Sequence, residues 1–455
     1  MAGWDLVVVG GGSAGLVGAQ AAARLGARVA LVEAEKTGGE CLYTGCVPSK
    51  AFIAAARDGL GFDAAMARVA AAVVAIAPHD SPGALEAEGV RVLHGHAVLD
   101  PSGGVRVDGR PLPSRSVLLA TGAAPALPSL TGLDPDEALT SETVWSLSVL
   151  PERLAVVGGG PVGCELAQAF ARLGAEVTVV ASAPRLLPRE DPEASAVVRA
   201  ALEADGIRVI TGDGAMAVAR VGADRVLLTG HGARVPYTHL LAATGKVPRT
   251  GGIGLPEAGV RLDGAGRVVT DASLRTTNPR VWAAGDVTAR SRHTHTAGVH
   301  AAIAAANAVL GTRRKAASIG EPRVTFTAPE VAAVGRSAAP GTGRTVTVPH
   351  TRVDRAVADA DPGGFTRIVL DRGGRITGGT IVGPRAGETL GELSLAVNAR
   401  LKATDLAAAV HAYPTHSDGL WLAAIQARLT ALDAPAPRIA ARVLLALRRA
   451  AARPR

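Results

Sequence analysis

The chain has 455 residues, 48% of them apolar but only 3% aromatic, with a formal net charge of +8. That length exceeds one ordinary core and predicts two to four domains, and the composition excludes a disordered chain. Lysine occurs only at 36, 50, 246, 315 and 402, so arginine supplies most of the charge; no basic cluster is interleaved with aromatics, which predicts a solvated surface and no nucleic-acid partner.

Leu6-Val7-Val8-Val9 predicts a strand that runs straight into Gly10-Gly11-Gly12-Ser13-Ala14-Gly15. Without a basic leader or cleavage site ahead of it, no signal peptide is expected. An alanine-rich helix follows, ending at Arg24-Leu25-Gly26-Ala27, then a second strand, Val29-Ala30-Leu31-Val32, closed by Glu33. Strand, G-x-G-x-x-G, helix and strand in this order form a dinucleotide cradle. The glycines let backbone N–H groups approach a pyrophosphate, the helix N-terminus favours its charge, and a carboxylate at Glu33 can accept from ribose hydroxyls.

Directly downstream lies Gly38-Gly39-Glu40-Cys41-Leu42-Tyr43-Thr44-Gly45-Cys46-Val47-Pro48-Ser49-Lys50. Two thiols separated by four residues can close a small disulfide loop, and the glycines with Pro-Ser-Lys mark a turn and a helix start. The pair reads as a redox switch fed by the bound dinucleotide rather than as two core cysteines. Zinc is not expected, because only Cys164 remains and no His or Cys cluster has ligand spacing. Three cysteines build no secreted disulfide framework, so a cytoplasmic location is expected. The longest apolar stretch, Val69 to Ala77, is too short to span a bilayer.

The cradle pattern then recurs. Leu154-Ala155-Val156-Val157 precedes Gly158-Gly159-Gly160-Pro161-Val162-Gly163, and the helix ends at Arg172-Leu173-Gly174-Ala175 before Val177-Thr178-Val179-Val180. Two copies imply two dinucleotides. Ala181 stands where Glu33 stood, with Arg185 and Arg189 following; losing the acid removes repulsion against a 2′-phosphate, so the second site leans towards NADP(H). Cys164, on the second cradle helix, is expected to be a buried small hydrophobe. Ala120-Thr121-Gly122 and Ala243-Thr244-Gly245 end apolar strands with small-residue turns, and Asp286 in Ala283-Ala284-Gly285-Asp286 can bond cofactor hydroxyls or cap a helix. The tail from Pro437 to Arg455 contains a basic amphipathic helix candidate, expected to pack on its own protein or fray, with an anionic membrane surface as the alternative.

Together these segments resemble the flavoprotein disulfide reductases, the family that includes glutathione reductase, lipoamide dehydrogenase and mercuric reductase. The resemblance spans residues 4 to 430 and is most specific at Cys41–Lys50, at Gly158 to Glu165, at Ala284-Gly285-Asp286, and at Val324 to Val331, which is similar to the start of the dimerisation domain. It implies an α/β chain with two Rossmann-like domains and a C-terminal α+β dimerisation domain. The expected boundaries are 1–149 with 250–318 for the discontinuous FAD domain, 150–249 for NAD(P), 319–434 for the interface domain and 435–455 for the basic tail. FAD would be held at Gly10, Gly12, Ser13, Ala14, Gly15, Glu33, Gly39, Lys50, Thr121, Gly122 and Asp286. NADP or NAD would be held at Gly158, Gly160, Val162, Gly163, Ala181, Arg185 and Gly245. Lys50 and Glu165 would pair near the flavin, Cys46 would face it, Cys41 would be the interchange thiol, and the protein would be a homodimer with each active site completed by the partner.

One segment departs from that pattern: His411-Ala412-Tyr413-Pro414-Thr415-His416-Ser417-Asp418. The disulfide-exchanging members carry a His-Pro-Thr segment with a Glu five residues beyond the His; here Tyr413 and Asp418 take those places. A phenol with pKa about 10 is a poor shuttle near neutrality beside an imidazole at about 6.5. Mercuric reductases place a tyrosine there, and Glu165 to Phe170 and Arg189 to Pro192 also resemble that branch, although no cysteine pair follows Cys164 and no N-terminal metal-binding domain is expected. The expected function is an FAD-dependent NAD(P)H oxidoreductase, mercuric-reductase-like, passing electrons through Cys41–Cys46 to a soft metal ion, a small disulfide or a quinone-like acceptor. The alternatives are a dihydrolipoamide dehydrogenase with an altered acid–base residue, in which His411 or His416 could serve as shuttle, and a membrane-associated redox sensor. No resident metal is expected.

Overall fold

The computed structural model describes residues 3–222, 224–290, 293–316, 320–338, 343–433 and 435–451. They form two compact units, one of residues 1–186 with 202–317, the other of residues 187–201 with 318–455.

The first unit holds two parallel five-stranded sheets. In one, the order is Val281–Ala283, Ser114–Leu119, Trp4–Val9, Val29–Glu33, Val90–His94. Leu6 to Val9 pair in register with Val29 to Val32 on one side and Ser116 to Leu119 on the other. These strands are continuous Val/Leu/Ala runs rather than alternating ones, because a parallel sheet is covered on both faces. Two separate cores result, one on each face of the sheet: Leu6, Val8, Leu31 and Leu118 pack with the helices Ser13–Arg24 and Thr294–Leu310, whereas Val7, Val9, Val117 and Leu119 pack on the other side.

The second sheet is built the same way, in the order Arg208–Thr211, Glu176–Ala181, Arg153–Val157, His239–Ala242, Ala138–Leu139. The repeat expected from sequence is thus present in three dimensions. Each first strand feeds a twelve-residue helix, Ser13–Arg24 or Pro161–Arg172, that ends on an arginine.

The second unit is α+β. Its antiparallel sheet runs Pro322–Thr325, Glu330–Gly335, Ile376–Gly383, Phe365–Leu370, Arg344–Pro349, with the helices Ala386–Asn398 and Asp418–Leu432 supplying apolar residues to its core. The short segment 187–201 belongs with this unit, although its sequence position falls inside the expected 150–249 domain. The cause is ionic: Arg323 makes two hydrogen bonds to Glu190, and Arg367 reaches Asp191, which is buried, and Glu193. The expected boundary at 318/319 and the tail residues 452–455 lie outside the described residues.

Length and composition would let the helical run Phe62–Ala87 cross a membrane, a longer stretch than Val69 to Ala77 suggested. It is not one continuous α-helix: Phe62–Ile76 gives way to a 3-10 turn at Ala77–Asp80 before Pro82–Ala87.

Candidate active site

The two cradles have matching shapes. Gly10 and Gly158 have φ of +103° and +126°, where a side chain is strained, and a Cβ on either would strike the carbonyl oxygen of Ala120 or Ala243. A Cβ on Gly15 or Gly163 would strike the carbonyl oxygen of Gly10 or Gly158, so the helix can approach its strand only with glycine there. The middle glycines differ in kind. A Cβ on Gly160 meets nothing within 4 Å and one on Gly12 meets only the Gly39 Cα at 3.9 Å. Open space over backbone N–H groups at a helix start is what a pyrophosphate requires, so both cradles fit a dinucleotide.

Their second strands end differently. The Glu33 carboxylate accepts from the Gly11 N–H and, at 2.8 Å, from the Glu35 N–H. Ala181 is buried against the second cradle, where a Cβ on Gly159 would sit 2.9 Å from its methyl carbon. Arg185 is half-buried in the first unit, while Arg189 lies on the segment that belongs to the second. Val162, in the first turn of the second cradle helix, is 40% exposed.

The thiol segment docks on the first cradle through its own glycines. The Gly38 N–H donates to the Gly11 carbonyl at 2.9 Å, and a Cβ on Gly39 would lie 2.6 Å from the Gly12 Cα. A short helix, Gly39–Tyr43, turns at Thr44-Gly45, and a second helix, Cys46–Arg57, begins at the second thiol. The Trp145 indole N–H clamps the turn by donating to the Thr44 carbonyl at 2.8 Å. Phe52 packs edge-on to Trp145 and tilted against Phe170 at 4.9 Å, which joins the thiol helix to the second cradle helix. Lys50 and Glu165 meet across that junction at 2.7 Å, with Glu165 only 5% exposed.

Both thiols are in the free form. Thr294, the first residue of Thr294–Leu310, places its hydroxyl 3.5 Å from each sulfur. The pair is electrostatically unequal. A hydrogen bond from Cys41 pulls the Cys46 thiol down to about 6 against the cost of burial, helped by Thr294 and by the charges of Lys50 and Lys246. Cys41 is pushed up by the same hydrogen bond and by burial, opposed by Thr294 and the Ser13 hydroxyl. Cys46 is therefore the thiolate and Cys41 the thiol, as a helix N-terminus at Cys46 favours.

Lys246 completes this cluster. Its ammonium lies 2.7 Å from Glu40, the residue before Cys41, and 3.3 Å from Asp286. Burial disfavours the charge, yet the two carboxylates hold the ammonium above its ordinary range. Asp286 thus holds a lysine rather than capping a helix. Thr121 donates to the Arg249 carbonyl, the Gly122 carbonyl accepts from the Arg249 N–H, and the Gly245 carbonyl accepts from the Ala126 N–H, so both small-residue turns are tied to crossing chains. Gly285 brings its backbone close to Ala14. Cys164 is fully buried and its thiol is pushed up to about 12, as expected of an inert hydrophobe.

In the second unit the structure does not pair Tyr413 with Asp418. Tyr413 is 69% exposed and donates to Asp354 at 2.6 Å, a hydrogen bond that raises its pKa. Asp418 is buried, accepts from the Thr415 N–H, and leaves its other oxygen without a partner. The His411 ring nitrogens lie 2.6 Å from Glu392 and 3.1 Å from the Ala409 carbonyl, and the ring stacks on Trp421. His416 Nε2 lies 3.2 Å from Asp359, and its Nδ1 is buried. Neither imidazole is held as an exposed shuttle.

Residues 4–306 match the pyridine nucleotide-disulphide oxidoreductase family, and residues 321–424 match its dimerisation domain. The chain belongs to that family. Its members bind FAD and NAD(P)H. Among curated relatives it is 37% identical to a mercuric reductase of Streptomyces lividans, over 93% of this chain and 96% of that one. It is 32% identical to a dihydrolipoyl dehydrogenase of Chlamydia muridarum, over 95% and 97%. Among solved structures it is similar to LpdA of Mycobacterium tuberculosis, at 29% identity and TM-score 0.86, covering 92% of this chain and 99% of that one. It is also similar to the Cu(II) complex of the HOCl-induced flavoprotein disulfide reductase RclA of Escherichia coli, at 25% identity and TM-score 0.85, covering 94% and 100%.

Thr294, Lys246, Glu40 and Trp145 were not among the residues that the sequence pointed to. Thr294 lies 248 positions from Cys46, and no local pattern marks it. The one available signal was Lys246 itself, as one of five lysines in the chain.

Proposed function

We propose that this protein reduces a soft metal ion at the Cys41–Cys46 pair with electrons from NAD(P)H. Bound FAD and NAD(P)H supply the hydride and electron-pair chemistry. The chain's own residues do the rest: the cradles position the cofactors, Lys50 pairs with Glu165 at 2.7 Å, and Lys246, Thr294 and the Cys41 thiol favour a thiolate at Cys46. Thiolate sulfur selects soft metal ions.

The observation that carries this reading is Tyr413. Disulfide exchange needs a proton delivered to the leaving thiolate, and the position that serves it in the resembling family holds a phenol whose pKa is raised by Asp354. The nearby imidazoles are engaged by Glu392 and Asp359. Reducing a metal ion releases no such leaving group. The similarity to mercuric reductases, and to a neighbour solved with Cu(II), supports the same choice. The matched dimerisation domain supports a homodimer, and Ala181 in place of an acid supports NADP(H) in the second cradle.

The test is anaerobic NADPH and NADH oxidation by the flavin-loaded protein with mercuric ion, cupric ion, lipoamide, oxidised glutathione and a quinone in parallel. Turnover with a metal ion at least tenfold above lipoamide, lost in Cys41→Ser and Cys46→Ser, is expected. Lipoamide turnover equal to the metal rate, or a sharp rise in it in Tyr413→His, would identify an altered dihydrolipoamide dehydrogenase instead.

A further inference from the structure

The tail helix Pro435–Ala451 buries no residue. Its apolar side chains are open to solvent: Ile439 60%, Val443 52%, Leu444 63% and Leu447 62%. At 100° per residue, Ile439, Val443 and Leu447 follow one another at i, i+4 and i+8, and Leu444 extends the same arc, with alanines filling it. Arg438, Arg442 and Arg449 form a stripe along one border of this arc and Arg448 lies along the other. Only Leu445 departs from the pattern. Residues 435–455 contain no Asp or Glu.

We infer that this helix is a membrane-surface element that lays its apolar arc on an anionic lipid surface. Charge decides between the occupants. A second copy of the helix would set arginine stripes together, and the acid beside each, Asp433 just ahead of the helix, reaches only Arg438, at 2.9 Å. A bilayer with anionic headgroups supplies negative charge on both borders of the arc, and arginine stems can reach it while the leucines enter the acyl boundary. Seventeen residues with four arginines are too few and too polar to span.

The end of the unit from which the tail departs is basic as well. The preceding helix, Asp418–Leu432, contributes Arg428 and Ala431 to a concavity of about 730 Å³ whose lining also includes Arg344, Arg372 and Lys402. Its acid, Asp371, is engaged by the backbone N–H groups of Gly373 and Arg375. A lipid headgroup phosphate suits that lining.

The inference is independent of the electron acceptor. The experiment is co-sedimentation of the full-length flavoprotein with vesicles of phosphatidylcholine alone and of an equimolar mixture with phosphatidylglycerol, at low and high salt. Binding to the anionic vesicles only, weakened by salt and abolished by truncation after Asp433, is expected. Each of Arg438→Gln, Arg442→Gln and Arg449→Gln should lower the partition coefficient about fivefold, and Leu444→Asp with Leu447→Asp should lower it further. NAD(P)H oxidation by the truncated protein serves as the folding control, because the tail holds no thiol or cradle residue. Binding that is absent, equal on neutral vesicles, or retained by the truncated protein overturns the inference. A tail-dependent rise in oligomer size without lipid would assign the face to a second copy and overturn it too.

Discussion

The two cradles share one geometry and differ in what closes over them. In the first, the second strand ends in Glu33 and the thiol segment docks on the turn through Gly38 and Gly39. In the second, the strand ends in buried Ala181 and the middle glycine, Gly160, faces open space. The shared part is backbone physics, which any dinucleotide can use. We propose that the unshared part sets which dinucleotide binds and what it can reach. A duplicated phosphate site thus becomes a redox relay through a few side chains and a thirteen-residue insertion, Gly38 to Lys50, on one copy.

The sharpest way to break the comparison is to block each cradle alone. In Gly10→Ala and Gly158→Ala the new Cβ would collide with a strand carbonyl at a φ that L residues avoid, strain of ~3 kcal/mol or more at each site. Gly10→Ala should give protein without flavin absorbance and without a flavin-coupled dithiol. Gly158→Ala should stay yellow and keep a dithionite-reducible pair, with the KM for NADPH raised at least tenfold. Equal flavin loss in both variants would show that the two sites are not functionally distinct.

The next effect concerns charge at the thiols, which only the first cradle gathers. Lys246→Met removes a cation that lowers the Cys46 pKa and frees Glu40 and Asp286 from their common partner. Iodoacetamide alkylation of the reduced protein should follow a titration near pH 6, because Cys46 is held at about 6, and the variant should titrate at higher pH. Lys246→Arg should restore the original curve. The same shift has a consequence for stability. The thiol binds its proton more weakly in the folded than in the unfolded chain, so the stabilisation is present in full above the unfolded value of about 8.5 and is lost as pH falls through about 6. Urea midpoints of the reduced protein should rise with pH across that window, and less so in Lys246→Met.

These two predictions also mark what the sequence makes legible. The cradles are local: strand, glycine turn and helix within thirty residues, so spacing alone places Gly10, Glu33, Gly158 and Ala181. The thiol loop is local too. The groups that tune it are not. Thr294, Lys246 and Trp145 arrive from remote parts of the chain, and their arrival depends on how sheets stack, which no periodicity encodes. The segment 187–201 misleads for the same reason. Its Arg-Glu-Asp-Pro motif reads as part of the nucleotide domain, yet Glu190 and Asp191 are held by Arg323 and Arg367, more than a hundred residues further on. The Tyr413 hydroxyl donates to Asp354, a partner the sequence does not mark, while the Asp418 charge acts on it without a hydrogen bond.

A smaller effect would sharpen the comparison by making the second cradle like the first. Ala181→Glu puts a carboxylate at the end of the second strand, where it can accept from ribose hydroxyls and repel a 2′-phosphate. The NADPH/NADH ratio of kcat/KM should fall at least tenfold, about 1.4 kcal/mol, with flavin content unchanged. Ala181 is buried, and a Cβ on Gly159 would sit 2.9 Å from its methyl carbon, so Arg185→Ala provides a second route that adds no bulk at the strand end. A ratio that moves in neither variant would mean that this cradle does not discriminate by charge at the strand end.

The least effect is expected at Cys164, the thiol that the second cradle owns. It lies in the first turns of a helix start, as Cys46 does, yet burial and the neighbouring Glu165 carboxylate push its thiol up to about 12 while Cys46 is drawn down. Helix position alone therefore does not activate a cysteine; a partner hydrogen bond and nearby lysines do. Cys164→Ala removes one sulfur atom from a packed core and should cost no more than ~1.5 kcal/mol in urea unfolding. Turnover and the number of thiols alkylated at neutral pH in the native reduced protein should both stay the same. A drop in either would place Cys164 in the relay and undo the distinction between the two helix starts.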